Sequence, residues 1–147
     1  MTVIAWDGKH MAGDKRTNFG GLHATTTKVH RIRECLVGCA GNTAQIIEMQ
    51  KWFAEGAKRE DFPAAQRDVK ECVSMLVIEP SGRVLQYENT PDPMVIENPF
   101  WALGSGRDFA MAAMYMGRSA EHAANVACAL DMGCGNGIDV LALEGER

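Results

Sequence analysis

Thr2 could act as a nucleophile if it became the N-terminal residue of the chain. A threonine hydroxyl attacks a carbonyl carbon only after a base removes its proton, and a free α-amine on the same residue can be that base. Aminopeptidases generally remove an initiator methionine before a small residue, which would expose this amine. The usual pKa of an α-amine is about 7.7–8.0, and a neighbouring cation would lower it towards the proton-accepting form. Taken alone, Thr2 is a weak signal, because many chains begin Met-Thr.

The apolar runs and turn signals predict the elements that would surround this nucleophile. An apolar run over 3–6, the turn pair Asp7-Gly8 and a return strand over about 9–14 indicate a hairpin. The polar residues 15–24 are predicted to form a loop. The Thr-rich stretch 25–33 is predicted to form a strand.

The next part of the sequence predicts a strand followed by a helix. Residues 35–41 are apolar and small, and Asn42 or Thr43 can cap the helix that follows them. Gly56 ends this helix. The polar, proline-interrupted segment 57–70 has room for at most a short helix.

The second half of the sequence contains a further hairpin and two helices. Residues 73–87 indicate the hairpin, and a proline-containing irregular connection then leads to a strand at 100–103. A helix is expected to follow as far as residue 116. Ser105 and Asp108 have the spacing of a capping box at its start.

A second helix and a final strand complete the chain. Ser119 can cap the helix, which is expected to run to about Met132, and the strand fits residues 138–143. The order strands, helix, strands, two helices, strand predicts an α+β sandwich with helices on both outer faces of two sheets. The 147 residues fit a single domain, 1–147.

Composition excludes several classes of function. The net charge is −4 and the basic residues are scattered, which argues against nucleic acid as the main partner. Five cysteines without metal-ligand spacing indicate free thiols in a reducing compartment and no structural zinc. We expect a cytoplasmic protein, because the sequence shows neither a signal peptide nor an apolar run long enough to span a bilayer.

The segment 130–137 is similar to the glycine loop of class I methyltransferases. That loop follows a strand and opens a helix, whereas the residues before 130 predict a helix. Only 10 residues follow Gly137, too few for the remaining strand–helix units of such a sheet. We therefore interpret the segment as a glycine-rich turn between the last helix and the last strand.

Six short segments together resemble the proteasome β subunits, and especially the HslV-type bacterial peptidase, of the N-terminal nucleophile (Ntn) hydrolases. Each segment is common by itself, but their order and spacing are fairly specific. The segments are Thr2 at the head of a strand, Ala12-Gly13-Asp14, Thr27-Lys28-Val29 followed by Arg31, Val37–Gly41 followed by Thr43-Ala44, Leu103–Gly106, and Ala129-Leu130-Asp131.

The resemblance implies a set of catalytic roles. Thr2 Oγ would attack the scissile carbonyl, and Lys28 would supply positive charge to the amine and the developing alkoxide. Asp14 would orient Lys28. The Gly41 N–H would donate to the tetrahedral oxyanion, a contribution worth about 2.7–4 kcal/mol where such donors have been removed.

Three further roles follow from the same resemblance. Ser105 and Asp131 would support the amine and the proton relay, and Arg16 would brace the loop after Asp14. No cofactor and no metal are expected. Cys39, close to Gly41, is interpreted as a small residue lining the pocket rather than as a nucleophile.

The resemblance also implies a fold, an activity and partners. The fold would be a four-layer αββα sandwich with one outer helix shortened or missing, because the segment 57–70 is short. The activity would be that of a threonine endopeptidase acting on peptides or unfolded proteins within a homo-oligomeric, self-compartmentalising ring. The family also has AAA+ ATPase partners, but the shortened segment here lies on the face where such partners dock in the family, which argues against this coupling.

Two other functions remain open from the sequence. The chain could be a catalytically silent, proteasome-like scaffold or binding subunit that retains Met1. It could also be an amidase acting on a small molecule, which a small sealed pocket in a monomer would favour.

Overall fold

A computed structural model describes residues 1–144 of the chain. The described part contains short strands and three α-helices in the order that the sequence predicts. The strands are β1 (Ile4–Trp6), β2 (His10–Asp14), β3 (Arg16–Phe19), β4 (Leu22–Thr25), β5 (Val29–Ile32), β6 (Cys35–Ala40), β7 (Ser74–Ile78), β8 (Val84–Tyr87), β9 (Met94–Ile96), β10 (Trp101–Leu103) and β11 (Ile138–Ala142). The helices are α1 (Thr43–Ala54), α2 (Arg107–Tyr115) and α3 (Ala120–Leu130).

The strands form two main antiparallel sheets and a separate hairpin. One sheet has the order β10-β1-β2-β11, and the other has the order β5-β6-β7-β8-β9. The hairpin pairs β3 with β4. Within residues 1–144, no helix is long and apolar enough to cross a membrane.

The two sheets pack face to face, and helices cover their outer faces. Ile4 and Met11 of one sheet and Leu36 and Leu76 of the other share one fully buried apolar cluster. Helix α1 covers the outer face of the five-stranded sheet, and α2 and α3 cover the outer face of the four-stranded sheet. The predicted four-layer αββα sandwich is therefore confirmed.

Helix α1 begins and packs as its sequence predicts. Asn42 is the N-cap, and its side chain accepts hydrogen bonds from the amides of Ala44 and Gln45. The helix buries Trp52 and Phe53 against the sheet. Burial of each such side chain contributes about 1.5–3 kcal/mol.

Alanines allow α3 to lie close to the neighbouring sheet and to α2. Ala123, Ala124 and Ala127 are fully buried in the cluster that these elements share. A side chain at Gly106 would lie 2.9 Å from the Ala127 Cβ, so this approach also requires the glycine. The close packing brings the end of α3 next to the start of α2.

The β1–β2 turn is as predicted, and it also anchors α3. The Asp7 carboxylate accepts from the amides of Lys9 and His10 at 2.9 and 2.7 Å. Gly8 has φ +97°, which favours glycine. The second Asp7 oxygen accepts from the Ala120 amide at the start of α3 at 2.8 Å.

Several predicted boundaries were wrong. Residues 15–24, predicted as a loop, hold β3 and most of β4, joined at Gly20-Gly21. The strand predicted over 25–33 is confined to β5, which starts at Val29. The irregular connection before β10 contains β9, which pairs with β8. The last helix ends at Leu130 rather than at Met132.

The shortened segment on the α1 side contains little helix. Residues 57–70 form two 3-10 turns, Arg59–Asp61 and Ala64–Arg67. This segment is the predicted place of the reduced outer helix, and α1 is the α-helix of that layer in residues 1–144.

Candidate active site

Thr2 lies just before β1, and its polar atoms form hydrogen bonds with two other segments of the chain. The residue is 5% exposed. Its Oγ1 accepts a hydrogen bond from Lys28 Nζ at 3.2 Å, and its amide N donates to Ser105 Oγ at 3.2 Å. The Gly106 amide donates to the Thr2 carbonyl at 3.0 Å, which fixes the backbone.

The Lys28 ammonium is held between Thr2 and a buried carboxylate. Lys28 lies in the link between β4 and β5, and its Nζ is 2.9 and 3.1 Å from the two oxygens of Asp14. Asp14 ends β2 and is completely buried, while the Lys28 side chain is 10% exposed. The carboxylate therefore aims the ammonium at the threonine hydroxyl.

Asp14 is itself fixed by backbone amides from three parts of the chain. The amide of Val3 donates to Oδ1 at 3.0 Å. The amides of Arg16 and Gly135 each donate to Oδ2 at 3.1 Å. A carboxylate bound in this way has little freedom to rotate, so the position of Lys28 is determined by the fold.

Ser105 connects the Thr2 nitrogen to Asp131. Its Oγ donates to Asp131 Oδ2 at 2.6 Å while accepting from the Thr2 amide. The predicted capping box was wrong: Gly106 is the N-cap of α2, and no side chain caps that position. Ser105 is one residue too early to cap, and its hydroxyl is directed to Thr2 and Asp131.

Asp131 is the C-cap of α3, and its carboxylate accepts several hydrogen bonds. The Gly133 amide donates to Oδ1 at 2.8 Å, and Cys134 Sγ lies 3.4 Å from Oδ2. These bonds, with the Ser105 hydroxyl as the largest cause, hold the pKa of Asp131 below its usual range despite an opposing effect of burial. The ionised carboxylate is the form that Ser105 contacts.

The Arg16 side chain lies on the loop after α3, away from the Thr2 hydroxyl. Its Nη1 donates to the Met132 carbonyl at 2.8 Å, and its Nε donates to Asn136 Oδ1 at 3.0 Å. A Cβ at Gly135 would lie 2.7 Å from the guanidinium, so the contact depends on that glycine.

The glycine-rich segment after α3 contributes more to the site than the sequence indicated. It is a turn before β11, as predicted, but it also supplies the Gly133 amide to the Asp131 carboxylate and the Gly135 amide to the buried Asp14 carboxylate. Asn136 donates from Nδ2 to the Ala24 carbonyl and to Thr25 Oγ1, both at 3.1 Å. The signal in the sequence was the clustering of glycine and asparagine, which marks an unusual backbone path but not its partners.

A cleft of about 850 Å³ opens beside Thr2. Gly41 lies on its wall with φ +136°, and a Cβ there would be 3.2 Å from Val73. Cys39 also lines the cleft, and burial raises the pKa of its thiol to about 12, so the thiol is protonated and unreactive at neutral pH. The other lining residues are Met1, Arg16, Thr17, Asn18, Phe19, Thr26, Thr27, Lys28, His30, Asn42, Thr43, Ala44, Ile46, Ile47 and Gln50.

Met1 occupies part of the site. Its carbonyl accepts a hydrogen bond from Lys28 Nζ at 3.1 Å. Its side chain lies against Gly133 where a Cβ would otherwise stand. The nitrogen of Thr2 is therefore a peptide amide here, and it stands in for the free amine that removal of Met1 would produce.

Five of the predicted site residues are joined directly by side-chain hydrogen bonds, and two others adjoin them. The connected set consists of Thr2, Lys28, Asp14, Ser105 and Asp131. Gly41 faces the same cleft, and Arg16 joins the set through its backbone amide. Among residues 1–144, no three His, Cys, Asp or Glu side chains come together in a way that could hold a metal ion.

Comparison with known proteins finds similarity in structure rather than in sequence. No family model matches the chain, and no curated protein matches it. A structure of Thiobacillus denitrificans BPH in complex with epoxomicin covers 100% of both chains with a TM-score of 0.75 and 17% identity. A second structure of the same BPH covers 96% of both chains with a TM-score of 0.72 and 18% identity.

Eukaryotic HslV from Trypanosoma brucei is also similar. It covers 96% of this chain and 97% of its own, with a TM-score of 0.71 and 22% identity. The shared architecture extends over both sheets and the three helices, so it includes every element that positions Thr2 and its neighbours. The chain therefore has the fold of the proteasome-like, HslV-type N-terminal nucleophile hydrolases.

Proposed function

We propose that the chain is a threonine-type peptidase in which Thr2 becomes the nucleophile after removal of Met1. The observation that carries the proposal is the position of the Lys28 ammonium, 3.2 Å from Thr2 Oγ1 and 2.9 Å from a buried Asp14 oxygen. A cation held beside a hydroxyl favours its deprotonated, nucleophilic form, and the buried carboxylate keeps that cation in place.

In the proposed reaction, the amine of Thr2 accepts the proton from its own Oγ as Oγ attacks the carbonyl carbon of a peptide bond. The lysine charge keeps the amine neutral before attack and stabilises the alkoxide. The oxyanion accepts from the Gly41 N–H. The protonated amine then gives its proton to the leaving nitrogen, and the peptide bond breaks to leave an ester on Thr2.

Water completes the proposed cycle by attacking this ester. The amine again accepts the proton, and the C–O bond breaks to regenerate the Thr2 hydroxyl and release a carboxylic acid. Ser105, which is 3.2 Å from the Thr2 nitrogen and 2.6 Å from Asp131, holds the amine in place through both halves of the cycle.

Assembly into a homo-oligomeric ring and a cytoplasmic location belong to the same proposal. The similarity to BPH and HslV structures supports the ring. The five free cysteines support a reducing compartment. An ATPase partner is not proposed, because only short 3-10 turns occupy residues 57–70 on the α1 side.

A scaffold function that retains Met1 is the second candidate. It is favoured by the hydrogen bond between Lys28 Nζ and the Met1 carbonyl and by the contact of the Met1 side chain with Gly133. These contacts show that the uncleaved N-terminus fits the site without displacing Asp14 or Ser105.

Intact-mass spectrometry with an epoxyketone probe such as epoxomicin distinguishes the two functions. The probe reacts with both the hydroxyl and the amine of an N-terminal threonine. The peptidase proposal expects loss of Met1 and addition of one probe molecule, together with cleavage of unfolded protein substrates. Retained Met1 with no adduct would instead support the scaffold.

Two variants test whether the Thr2 hydroxyl is the nucleophile. Thr2→Ala still allows removal of Met1, so it keeps the free amine and should lose both the adduct and the activity. Thr90→Ala changes an exposed threonine that does not line the cleft, and it should retain both the adduct and the activity. An adduct that persists in Thr2→Ala would place the nucleophile elsewhere.

A further inference from the structure

A fully buried glutamine lies in the segment that takes the place of the reduced outer helix. Among residues 1–144, the buried polar or charged residues are Thr2, Asp14 and Gln66. Thr2 and Asp14 belong to the candidate active site, whereas Gln66 lies in the 3-10 turn Ala64–Arg67 and does not line the cleft. Burial of a side-chain amide is unfavourable unless its hydrogen bonds are made, so its partners identify the part of the fold that it holds.

The Gln66 side chain bonds the backbone at the ends of two neighbouring strands. The amide of Val73, just before β7, donates to Gln66 Oε1 at 2.9 Å. Gln66 Nε2 donates to the Val73 carbonyl, and also to the Glu88 carbonyl just after β8 at 2.7 Å. The side chain therefore exchanges two hydrogen bonds with Val73 as a residue on an adjacent antiparallel strand would.

Val73 in turn supports the backbone of Gly41. The β6–β7 ladder ends with Ala40 opposite Ser74, so Gly41 faces Val73 one step beyond it. A Cβ at Gly41 would lie 3.2 Å from both the Cα and a Cγ of Val73. Val73 is fully buried, so its position fixes one side of the Gly41 backbone.

The surrounding segment is attached to the core by other contacts as well. Trp52 Nε1 of α1 donates to the Lys58 carbonyl at 2.8 Å. The Phe62 ring is buried and packs edge-on against Trp52, with ring centroids 5.1 Å apart. Attachment of the segment therefore does not depend on Gln66 alone, and the particular effect of Gln66 is to fix Val73.

We infer that Gln66 is a positioning residue for the oxyanion site, acting through Val73 on Gly41. The inference rests on the proposed peptidase function, in which the Gly41 N–H donates to the oxyanion. It adds a residue outside the cleft that touches neither substrate nor nucleophile. A donor stabilises a developing oxyanion only if its direction is fixed before the reaction, and Gln66 supplies part of that rigidity.

The test is Gln66→Met, which keeps the approximate size of the side chain and removes its amide. Loss of an oxyanion donor lowers kcat by about 10²–10³-fold, so a donor that is loosened but still present should lower it by about tenfold. KM should change little, because substrate binding in the cleft is not altered. The inhibition constant of a peptide aldehyde, whose hemiacetal oxygen takes the place of the oxyanion, should rise by the same factor as kcat falls.

Gln86→Met is the matched control, because it makes the same substitution in the same sheet. Gln86 lies in β8, and its Oε1 accepts from Trp101 Nε1 of β10 at 2.7 Å. It does not line the cleft. Its loss should lower the free energy of unfolding but leave kcat and aldehyde inhibition unchanged. Circular dichroism checks that each variant is folded at the assay temperature.

Hydrogen–deuterium exchange tests the same relationship without using activity. In Gln66→Met the amides of residues 39–42 should exchange faster, while those of β2 should not change. If Gln66→Met does not fold, Val73→Ala provides the test. It retains the backbone bonds to Gln66 but removes methyl groups that contact Gly41, and it should lower kcat several-fold with KM unchanged.

Three results would overturn the inference: a wild-type kcat in Gln66→Met, a wild-type kcat in Val73→Ala, or an equal fall of kcat in Gln86→Met. Failure of the peptidase proposal is recognised separately. In that case the unsubstituted protein lacking Met1 neither cleaves peptides nor reacts with an epoxyketone. The exchange rates of residues 39–42 then decide by themselves whether Gln66 positions Gly41.

Discussion

Gly104 lies directly against the carbonyl group of Thr2, with no room between them for a side chain. Gly104 has φ +92°, a backbone conformation that favours glycine. Together these two properties make Gly104 the residue that allows β10 to run beside the nucleophile. Gly104→Ala should therefore displace Thr2 and lower both stability and activity.

Gly117 provides a control that separates backbone strain from the contact with Thr2 as causes of the lost stability. Gly117 has φ +88°, and no atom lies within 4 Å of the place where a methyl group would stand. Gly117→Ala therefore introduces backbone strain alone, about 1–2 kcal/mol. Urea unfolding should show a larger decrease in the free energy of unfolding for Gly104→Ala than for Gly117→Ala. Equal losses would mean that the contact with Thr2 relaxes without cost.

Removal of the Lys28 ammonium should strongly lower the stability of the fold, because Asp14 stays buried without its cationic partner. Lys28→Ala leaves that carboxylate with backbone amides as its remaining donors, and breaking a buried pair costs about 3–5 kcal/mol. Activity should be lost as well. The measurement is urea unfolding together with peptide hydrolysis.

The control for this prediction is a second ion pair of similar length. Lys15 Nζ is 2.8 Å from Asp139, but the two side chains are 23% and 33% exposed. Lys15→Ala should lower the free energy of unfolding by no more than about 1 kcal/mol. If Lys28→Ala proved no more destabilising than Lys15→Ala, the Lys28–Asp14 pair would contribute nothing through its burial.

The hydrogen bond from Ser105 to Asp131 should make stability depend on pH in acid. The pKa of Asp131 is held below its usual 3.8, chiefly by Ser105. A lowered pKa in the folded state contributes stability that is present above the unfolded pKa and is lost as the pH falls through the folded pKa. Ser105→Ala should therefore be destabilising at about pH 6, with a difference from the wild type that shrinks below about pH 4.

Chemical denaturation at several pH values measures this difference. Asp131→Asn cannot ionise, so in that background the effect of Ser105→Ala should no longer change with pH in the acid range. A constant effect of Ser105→Ala from neutral to acid pH in the wild type would show that the hydroxyl does not favour the ionised form of Asp131.

Asn136 joins the β3–β4 hairpin to the loop after α3, and its removal should affect substrate binding first. Its side chain bonds Arg16, Ala24 and Thr25. The hairpin carries one wall of the cleft, so we expect Asn136→Gly to raise KM several-fold with a smaller change in kcat. Steady-state kinetics would contradict this if kcat fell while KM stayed constant.

The conformation of Asn136 provides a comparison for stability. Its φ is +63°, which glycine adopts freely and alanine does not. Asn136→Ala and Asn136→Gly lose the same side-chain bonds, so Asn136→Ala should be less stable by about 1–2 kcal/mol. Thermal unfolding of the two variants measures that difference.

The sequence predicted the elements that depend on local signals. The Asp7-Gly8 turn, the Asn42 cap of α1 and the order of helices and strands were all visible because turn residues and apolar periodicity are encoded locally. The β3–β4 hairpin was not visible, because its strands are largely exposed and polar and lack an alternating apolar pattern.

The site was predictable as a set of side chains but not as a set of backbone donors. Thr2, Asp14 and Lys28 were identified from their motifs, and the structure brings them together. The amides of Gly133 and Gly135 reach the site from far along the chain, and an amide carries no residue identity that a motif could reveal. For Ser105, local spacing predicted a capping role that was wrong. Its role beside Thr2 and Asp131 was expected only from the family resemblance, since these partners are distant in sequence.

The three amides on Asp14 have a consequence for how activity can be lost. They come from the start of β1, the start of β3 and the loop before β11, so the carboxylate joins the two ends of the described chain. Partial opening of any one of these segments would release Lys28 from its position. Hydrolytic activity would then report on the least stable of these three segments, and heat inactivation should occur at a lower temperature than global unfolding.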